Sequence, residues 1–132
     1  MPNVDSVLET SLYVDNLERA SAFYIGLFGF DVLVSDNRME ALSVSSKQVL
    51  LLFLKGASMS GGAVPPHDGQ GNLHLAFAIP AGSYADWERT LHEKSIEVES
   101  RVEWPRGGRS LYFRDPDGHL LELVTPGCWA IY

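Results

Sequence analysis

Three ionisable residues stand in stretches otherwise suited to a hydrophobic interior. Glu9 lies between Leu8 and Thr10, His74 between Leu73 and Leu75, and Glu122 within Leu120-Leu121-Glu122-Leu123-Val124. A carboxylate or imidazole in the middle of an apolar strand costs free energy unless it is paired, hydrogen-bonded or metal-bound. Two carboxylates and one neutral imidazole make an oxygen-rich donor set for a divalent metal, and three protein ligands leave coordination positions open for substrate or water. The plainer alternative is that the three face solvent, or that His74 bonds to Glu9 or Glu122 as a structural pair. Spacing alone leaves both open.

Other residues could attend such a site. His67, in Pro65-Pro66-His67-Asp68-Gly69, belongs to a long loop able to fold over a site as a lid, although loop histidines are usually solvated. Arg106 and Arg109 flank Gly107-Gly108. An arginine beside a metal could hold a substrate carboxylate or phosphonate through a bidentate contact, and a solvated turn charge is the simpler reading. Counting back from the Asp115–Gly118 turn, a four-residue loop sets Leu111 opposite Glu122, whereas a one-residue bulge brings Tyr112 there. His119 follows a turn and His92 lies on the polar side of a helix, so exposure is expected for both. Trp87 reads as helix core, and Trp104 and Trp129 as lining for a pocket or an interface. Cys128 has no paired base nearby in sequence and carries no signal of a nucleophile.

The elements that would position these residues occur twice. Val7–Val14 alternates, with Leu8, Leu12 and Val14 on one face and Glu9, Ser11 and Tyr13 on the other. Asp15 with Glu18 forms a capping box before a helix carrying Leu17, Ala20, Tyr24, Leu27 and Phe28, and Gly29 ends it as a left-handed cap. Strand-like Phe30–Ser35, Glu40–Val44 and Val49–Leu54 follow. Lys55–Asn72 is rich in glycine, carries Pro65-Pro66, and reads as a connecting loop. The order then repeats. Leu73–Ile79 alternates, Ser83 with Asp86 forms a second capping box, and Tyr84, Trp87 and Leu91 supply a buried helical stripe. Ile96–Val102, Arg109–Phe113 and Leu120–Val124 complete the unit. Each sheet would carry its helix on one face, which turns Glu9, His74 and Glu122 toward the other.

Composition narrows the class. The chain has 132 residues, 45% of them hydrophobic and 20% charged, which is globular rather than disordered. Ten Lys and Arg against 17 Asp and Glu give a net charge of −7, a poor match for nucleic acid or an anionic membrane surface. No apolar run approaches the ~18 residues of a membrane span, the N-terminus lacks a signal-peptide pattern, and one cysteine fits a reducing compartment. The expectation is a cytoplasmic α+β domain over residues 1–132, with module 1 at about 5–54, a connecting loop at 55–72, module 2 at about 73–125 and a tail at 126–132.

The segments Leu8–Glu18, Phe23-Tyr24, Phe28-Gly29-Phe30, Gly71–Phe77 and Ser110–Leu123 resemble the vicinal oxygen chelate superfamily of glyoxalases, extradiol dioxygenases, fosfomycin-resistance thiol transferases and bleomycin-resistance proteins. The resemblance covers nearly the whole chain except the 55–70 loop and the tail. It implies two tandem βαβββ modules forming a curved mixed sheet around a cleft, commonly as a homodimer. It places Glu9, His74 and Glu122 at ligand positions for a divalent ion, with Mn²⁺, Fe²⁺ or Ni²⁺ favoured and Zn²⁺ admissible. It also makes Tyr112 similar to a substrate-contacting tyrosine of the fosfomycin-type enzymes.

The function implied is an enzyme whose metal acts as a Lewis acid on vicinal oxygens of a small-molecule substrate, by lyase, isomerase, thiol-transfer or ring-cleavage chemistry. Glu122 or Tyr112 would move the proton, and Tyr112, His67 and Arg109 would contact substrate. The alternative is a drug- or metabolite-binding protein without turnover. There are departures from the family pattern. Val49–Phe53 offers no fourth ligand of the glyoxalase I kind, Glu9 replaces a histidine common in dioxygenases and thiol transferases, and the latter's potassium loop and anion-binding lysine are missing.

Overall fold

A computed structural model describes residues 1–132. The chain divides into two compact units, Met1–Gly71 and Asn72–Tyr132. The first holds β1 (Glu9–Val14), α1 (Leu17–Phe28), β2 (Asp31–Ser35), β3 (Met39–Val44) and β4 (Gln48–Leu54). The second holds β5 (His74–Ala78), α2 (Tyr84–Glu93), β6 (Ser100–Glu103), β7 (Arg109–Arg114) and β8 (Leu120–Val124). Each unit is thus one βαβββ module, and the α+β fold follows.

In the first unit the strand order is β1-β4-β3-β2, with β1 parallel to β4 and the other pairs antiparallel. Alternation sends Leu12, Val14, Leu42, Leu50 and Leu52 to one face, where they are buried along with Ala20, Tyr24 and Leu27 of α1. Leu8, expected to join them, is 62% exposed, and Thr10, next to it on that face of β1, is exposed as well. The capping box at Asp15 and Glu18 is also displaced. Asn16 is the cap, its side chain accepting from the Arg19 N–H at 2.9 Å. The short Asn side chain makes the same bond one residue later. Gly29 adopts φ 69° and its N–H closes on the Ile25 carbonyl, as a glycine cap should. The edge strand β2 is exposed along its length and carries a bulge between Val32 and Val34.

The 55–72 loop does not hang free of this unit. Ser58 is buried and donates to the His67 carbonyl, and Asp68 accepts from the Gly56 N–H at 3.2 Å. Arg38 donates to the carbonyls of Ala57 at 2.9 Å and Gly61 at 3.2 Å.

The second unit repeats the plan in the order β5-β8-β7-β6, with β5 parallel to β8. Leu91, Leu111, Phe113, Leu121 and Leu123 are fully buried. Two expectations change here. Ser83 does not cap α2 through its side chain; the hydroxyl turns back to the Pro80 carbonyl at 2.8 Å. The strand expected from Ile96 starts at Ser100, because Ser95 takes a left-handed φ of 57° and the chain must recover from the helix end before pairing.

His119, expected to be exposed, is 1% exposed. Its Nδ1 accepts from the Leu73 N–H at 2.9 Å, and its own backbone exchanges bonds with Asp115. The imidazole therefore closes the β7–β8 turn onto the start of β5 rather than facing water.

Candidate metal centre

The register of the second sheet assembles the site. Ala76 of β5 pairs with Glu122 of β8, and Glu122 pairs with Tyr112 of β7. The five residues Asp115–His119 between β7 and β8 supply the odd count that brings Tyr112, not Leu111, opposite Glu122. His74, two residues before Ala76, shares its face.

His74 and Glu122 meet in an informative way. Nδ1 of His74 lies 2.9 Å from the Leu120 carbonyl oxygen. A carbonyl can only accept, so Nδ1 carries the proton. In the neutral ring Nε2 is then a bare lone pair, and it faces Oε1 of Glu122 at 3.3 Å. Two acceptors at that distance are reconciled by a proton shared between them or by a bound cation. A histidine whose second nitrogen donates to a backbone carbonyl is also the usual arrangement of a metal-ligating imidazole.

Glu122 is only 5% exposed, whereas the His74 side chain is about half open at 49%. The second carboxylate oxygen is occupied. Oε2 accepts from Ser110 Oγ at 2.5 Å, and Ser110 Oγ accepts from Trp104 Nε1 at 2.8 Å. Tyr112 hydrogen-bonds with Glu122, and its ring lies 6.2 Å from the His74 ring at 29°. Burial raises the Tyr112 phenol above its ordinary value, and the bond to Glu122 adds to the effect. Burial and the Glu122 charge likewise push the Cys128 thiol up, which keeps it protonated and weakly nucleophilic.

His74, Glu122 and Tyr112 are thus together. Glu9 belongs to the first unit, where it opens β1 opposite Val49, is exposed, and shares a face with Ser11 and Tyr13. Within neither unit do three His, Cys, Asp or Glu side chains gather as a metal-holding group, so the second unit by itself offers two donors. His67 also lies in the first unit, with Nδ1 2.7 Å from the Tyr13 hydroxyl. Arg109, expected to contact substrate, lies against α2 in this structure. Its guanidinium stacks 3.8 Å over the ring of Tyr84 in α2. That is the helix face of β7, shared with Leu111 and Phe113, whereas Ser110 and Tyr112 occupy the face of Glu122.

Sequence reasoning missed Ser110 and left Trp104 undecided. The signal for Ser110 was present. Once Tyr112 opposes Glu122, Ser110 is the diagonal neighbour on the same face.

Comparison with known proteins agrees with this architecture. Residues 5–123 match the model of the Glyoxalase/Bleomycin resistance protein/Dioxygenase superfamily. A metallothiol transferase FosB of Lysinibacillus sphaericus is 29% identical over 124 residues, covering 92% of this chain and 83% of that protein. The uncharacterized protein YwkD of Bacillus subtilis is 32% identical over 125 residues, covering 89% and 94%. Among solved structures, a lactoylglutathione lyase from Agrobacterium tumefaciens superposes with a TM-score of 0.91 at 29% identity, covering 98% of this chain and 99% of that one.

Proposed function

The chain belongs to the Glyoxalase/Bleomycin resistance protein/Dioxygenase superfamily, and on that premise we propose that it is a divalent-metal enzyme acting on a small-molecule substrate with adjacent oxygens. The observation that carries the proposal is the facing of His74 Nε2 and Glu122 Oε1, two acceptors in want of a cation. An imidazole and a carboxylate suit Mn²⁺, Fe²⁺ or Ni²⁺, with Zn²⁺ also compatible. His74 and Glu122 would hold the ion, with Glu9 of the first module as the third protein ligand. When bound, the ion supplies Lewis acidity toward the substrate oxygens.

The chain's own residues do the rest. The Tyr112 phenol, held above its ordinary pKa by burial and by its bond to Glu122, would turn its proton from Glu122 toward a substrate oxygen gaining negative charge. Glu122, buried beside it, is placed to hold or return a proton. Arg109 has no part in this scheme, since it is committed to Tyr84. Of the lyase, isomerase, thiol-transfer and ring-cleavage reactions open to the superfamily, we favour one that uses a thiol, because the names metallothiol transferase and lactoylglutathione lyase both contain one.

A homodimer in the cytoplasm is part of the same proposal. Val4, Val7 and Leu8 and the edge residues Val32, Leu33 and Val34 are between 47% and 92% exposed, apolar surface that a second copy would cover. No helix is long and apolar enough to cross a membrane.

The test is metal content. The purified protein, offered Mn²⁺, Fe²⁺, Ni²⁺, Co²⁺ and Zn²⁺ in turn, should retain one ion per chain by elemental analysis. Glu9→Ala, His74→Ala and Glu122→Ala should each lose it. A wild type that retains none of the five ions would sink the mechanism, and three variants that bind like wild type would sink the ligand assignment.

A further inference from the structure

We infer that Trp104 and Ser110 are positioning residues for Glu122, forming a one-way hydrogen-bond chain that fixes Oε2 and turns Oε1 toward His74 Nε2. The inference rests on the metal reading above and adds to it the residues that shape the ligand. An indole N–H can only donate. Trp104 Nε1 at 2.8 Å therefore takes a lone pair of Ser110 Oγ, and the serine proton is directed to Glu122 Oε2 at 2.5 Å. Neither partner can reverse its role.

The chain is built to stay put. Ser110 has no exposed surface. Trp104 follows β6 directly and is tied to the tip of the β6–β7 turn in both directions. Its N–H donates to the Gly108 carbonyl at 2.8 Å, and its carbonyl accepts from the Gly107 N–H at 2.9 Å. Gly107 takes φ 96°, a conformation other residues rarely adopt, so the turn that aims the indole depends on a glycine. With Oε2 already receiving a strong donor, the carboxylate plane is fixed and Oε1 points to His74 Nε2. A carboxylate held this way presents Oε1 to an ion beside His74.

Calorimetric titration of the wild type and variants with Mn²⁺ alone tests this, with near-ultraviolet circular dichroism to verify the fold. Ser110→Ala should weaken Mn²⁺ affinity by about 10–100-fold, the range for loss of a group that orients a metal ligand. Ser110→Thr keeps the hydroxyl and should stay within about threefold of wild type, a rescue that packing alone would not produce. Trp104→Phe should weaken binding by a smaller factor, and Trp104→Phe with Ser110→Ala should bind no worse than Ser110→Ala, because both act through one bond. Wild-type affinity in Ser110→Ala, or strictly additive losses in the pair, would overturn the chain while leaving the metal site intact. Should Ser110→Ala fail to fold, Trp104→Phe still decides the matter, since unchanged affinity there removes Trp104 from the scheme. Wild-type affinity in Glu122→Ala overturns both the chain and the metal reading.

Discussion

The Tyr13 hydroxyl and Nδ1 of His67 lie 2.7 Å apart, 54 residues from each other in the chain. Phe53 meets the same imidazole edge-on, with ring centroids 4.6 Å apart at 86°. Burial raises the Tyr13 phenol above its ordinary value, so the hydroxyl stays protonated beside the imidazole. The 55–72 loop is thus fastened to the face of its own sheet that also carries Glu9. Tyr13→Phe keeps the ring and removes the bond, and should cost about 0.5–1.5 kcal/mol. Gly69→Ala is harsher, because a Cβ there would lie 2.4 Å from Tyr13 Cδ2. Limited proteolysis should cut both variants within residues 61–68 faster than wild type, and Gly69→Ala faster than Tyr13→Phe. Equal cutting of all three would show that the latch does not hold the loop.

Glu122→Gln and Glu122→Ala should part company. A glutamine amide can donate to His74 Nε2 while its carbonyl accepts from Ser110, which keeps both of these contacts without a buried carboxylate. We expect its melting temperature without metal to equal or exceed that of wild type. Alanine leaves the Ser110 hydroxyl without an acceptor and should cost about 1–3 kcal/mol. Added Mn²⁺ should raise the melting temperature of wild type and of neither variant. A glutamine variant as unstable as the alanine one would contradict the charge argument.

Alkaline pH should destabilise the protein through its tyrosines. Tyr13, Tyr84, Tyr112 and Tyr132 all have phenols raised above the ordinary value, chiefly by burial. The folded chain thus favours the neutral phenols more than the unfolded chain does. Their contribution is full below about pH 10 and is lost as pH climbs through the raised values. Absorbance at the tyrosinate band should show the folded protein ionising at higher pH than the denatured protein. Tyr112→Phe should remove part of the alkaline loss of stability. Coincident titration curves for folded and denatured protein would refute the burial argument.

The exposed apolar residues make a prediction about assembly. Light scattering at micromolar concentration should give twice the chain mass of 14.6 kDa. Lysine substitutions at Val32 and Val34 on the edge strand, or at Val7 and Leu8 before β1, identify the surface involved. The pair that covers the interface should shift the species toward monomer, and a monomeric wild type would refute the dimer.

Much of the fold was readable because alternation and helical spacing act locally. Leu12 and Val14 against Tyr13, or Leu121 and Leu123 against Glu122, declare their faces without tertiary knowledge. The errors came where two local solutions compete or distant groups intervene. Asp15 and Asn16 are both good caps, and one residue decides the helix start. His119 follows a turn, and only the Leu73 N–H arriving from 46 residues away makes it a buried acceptor. Tyr112 opposite Glu122 depended on one residue in the turn length, which sequence could not count. The placement of Arg109 was legible too, since its parity with Leu111 and Phe113 puts it on the helix face. The Trp104–Ser110–Glu122 chain required atomic positions, because the partners lie on two strands and a turn and no spacing rule links an indole to a carboxylate.

The sheet topology also bears on how the chain is made. Every backbone ladder closes inside its own half, β1 with β4 and β5 with β8, and none joins one half to the other. The ribosome emits the chain from its N-terminus at about 5–20 residues per second, and domains tend to fold as they emerge. Once Leu54 is clear of the exit tunnel, all the strand partners of the first sheet are available, while β8 is still unsynthesised. The first half can therefore settle its register during translation, with no competing partner yet present for its edge strands. The second half must find β5 and β8 in the presence of a finished sheet, so crowded or unusually fast synthesis should tell more on the half that holds His74 and Glu122.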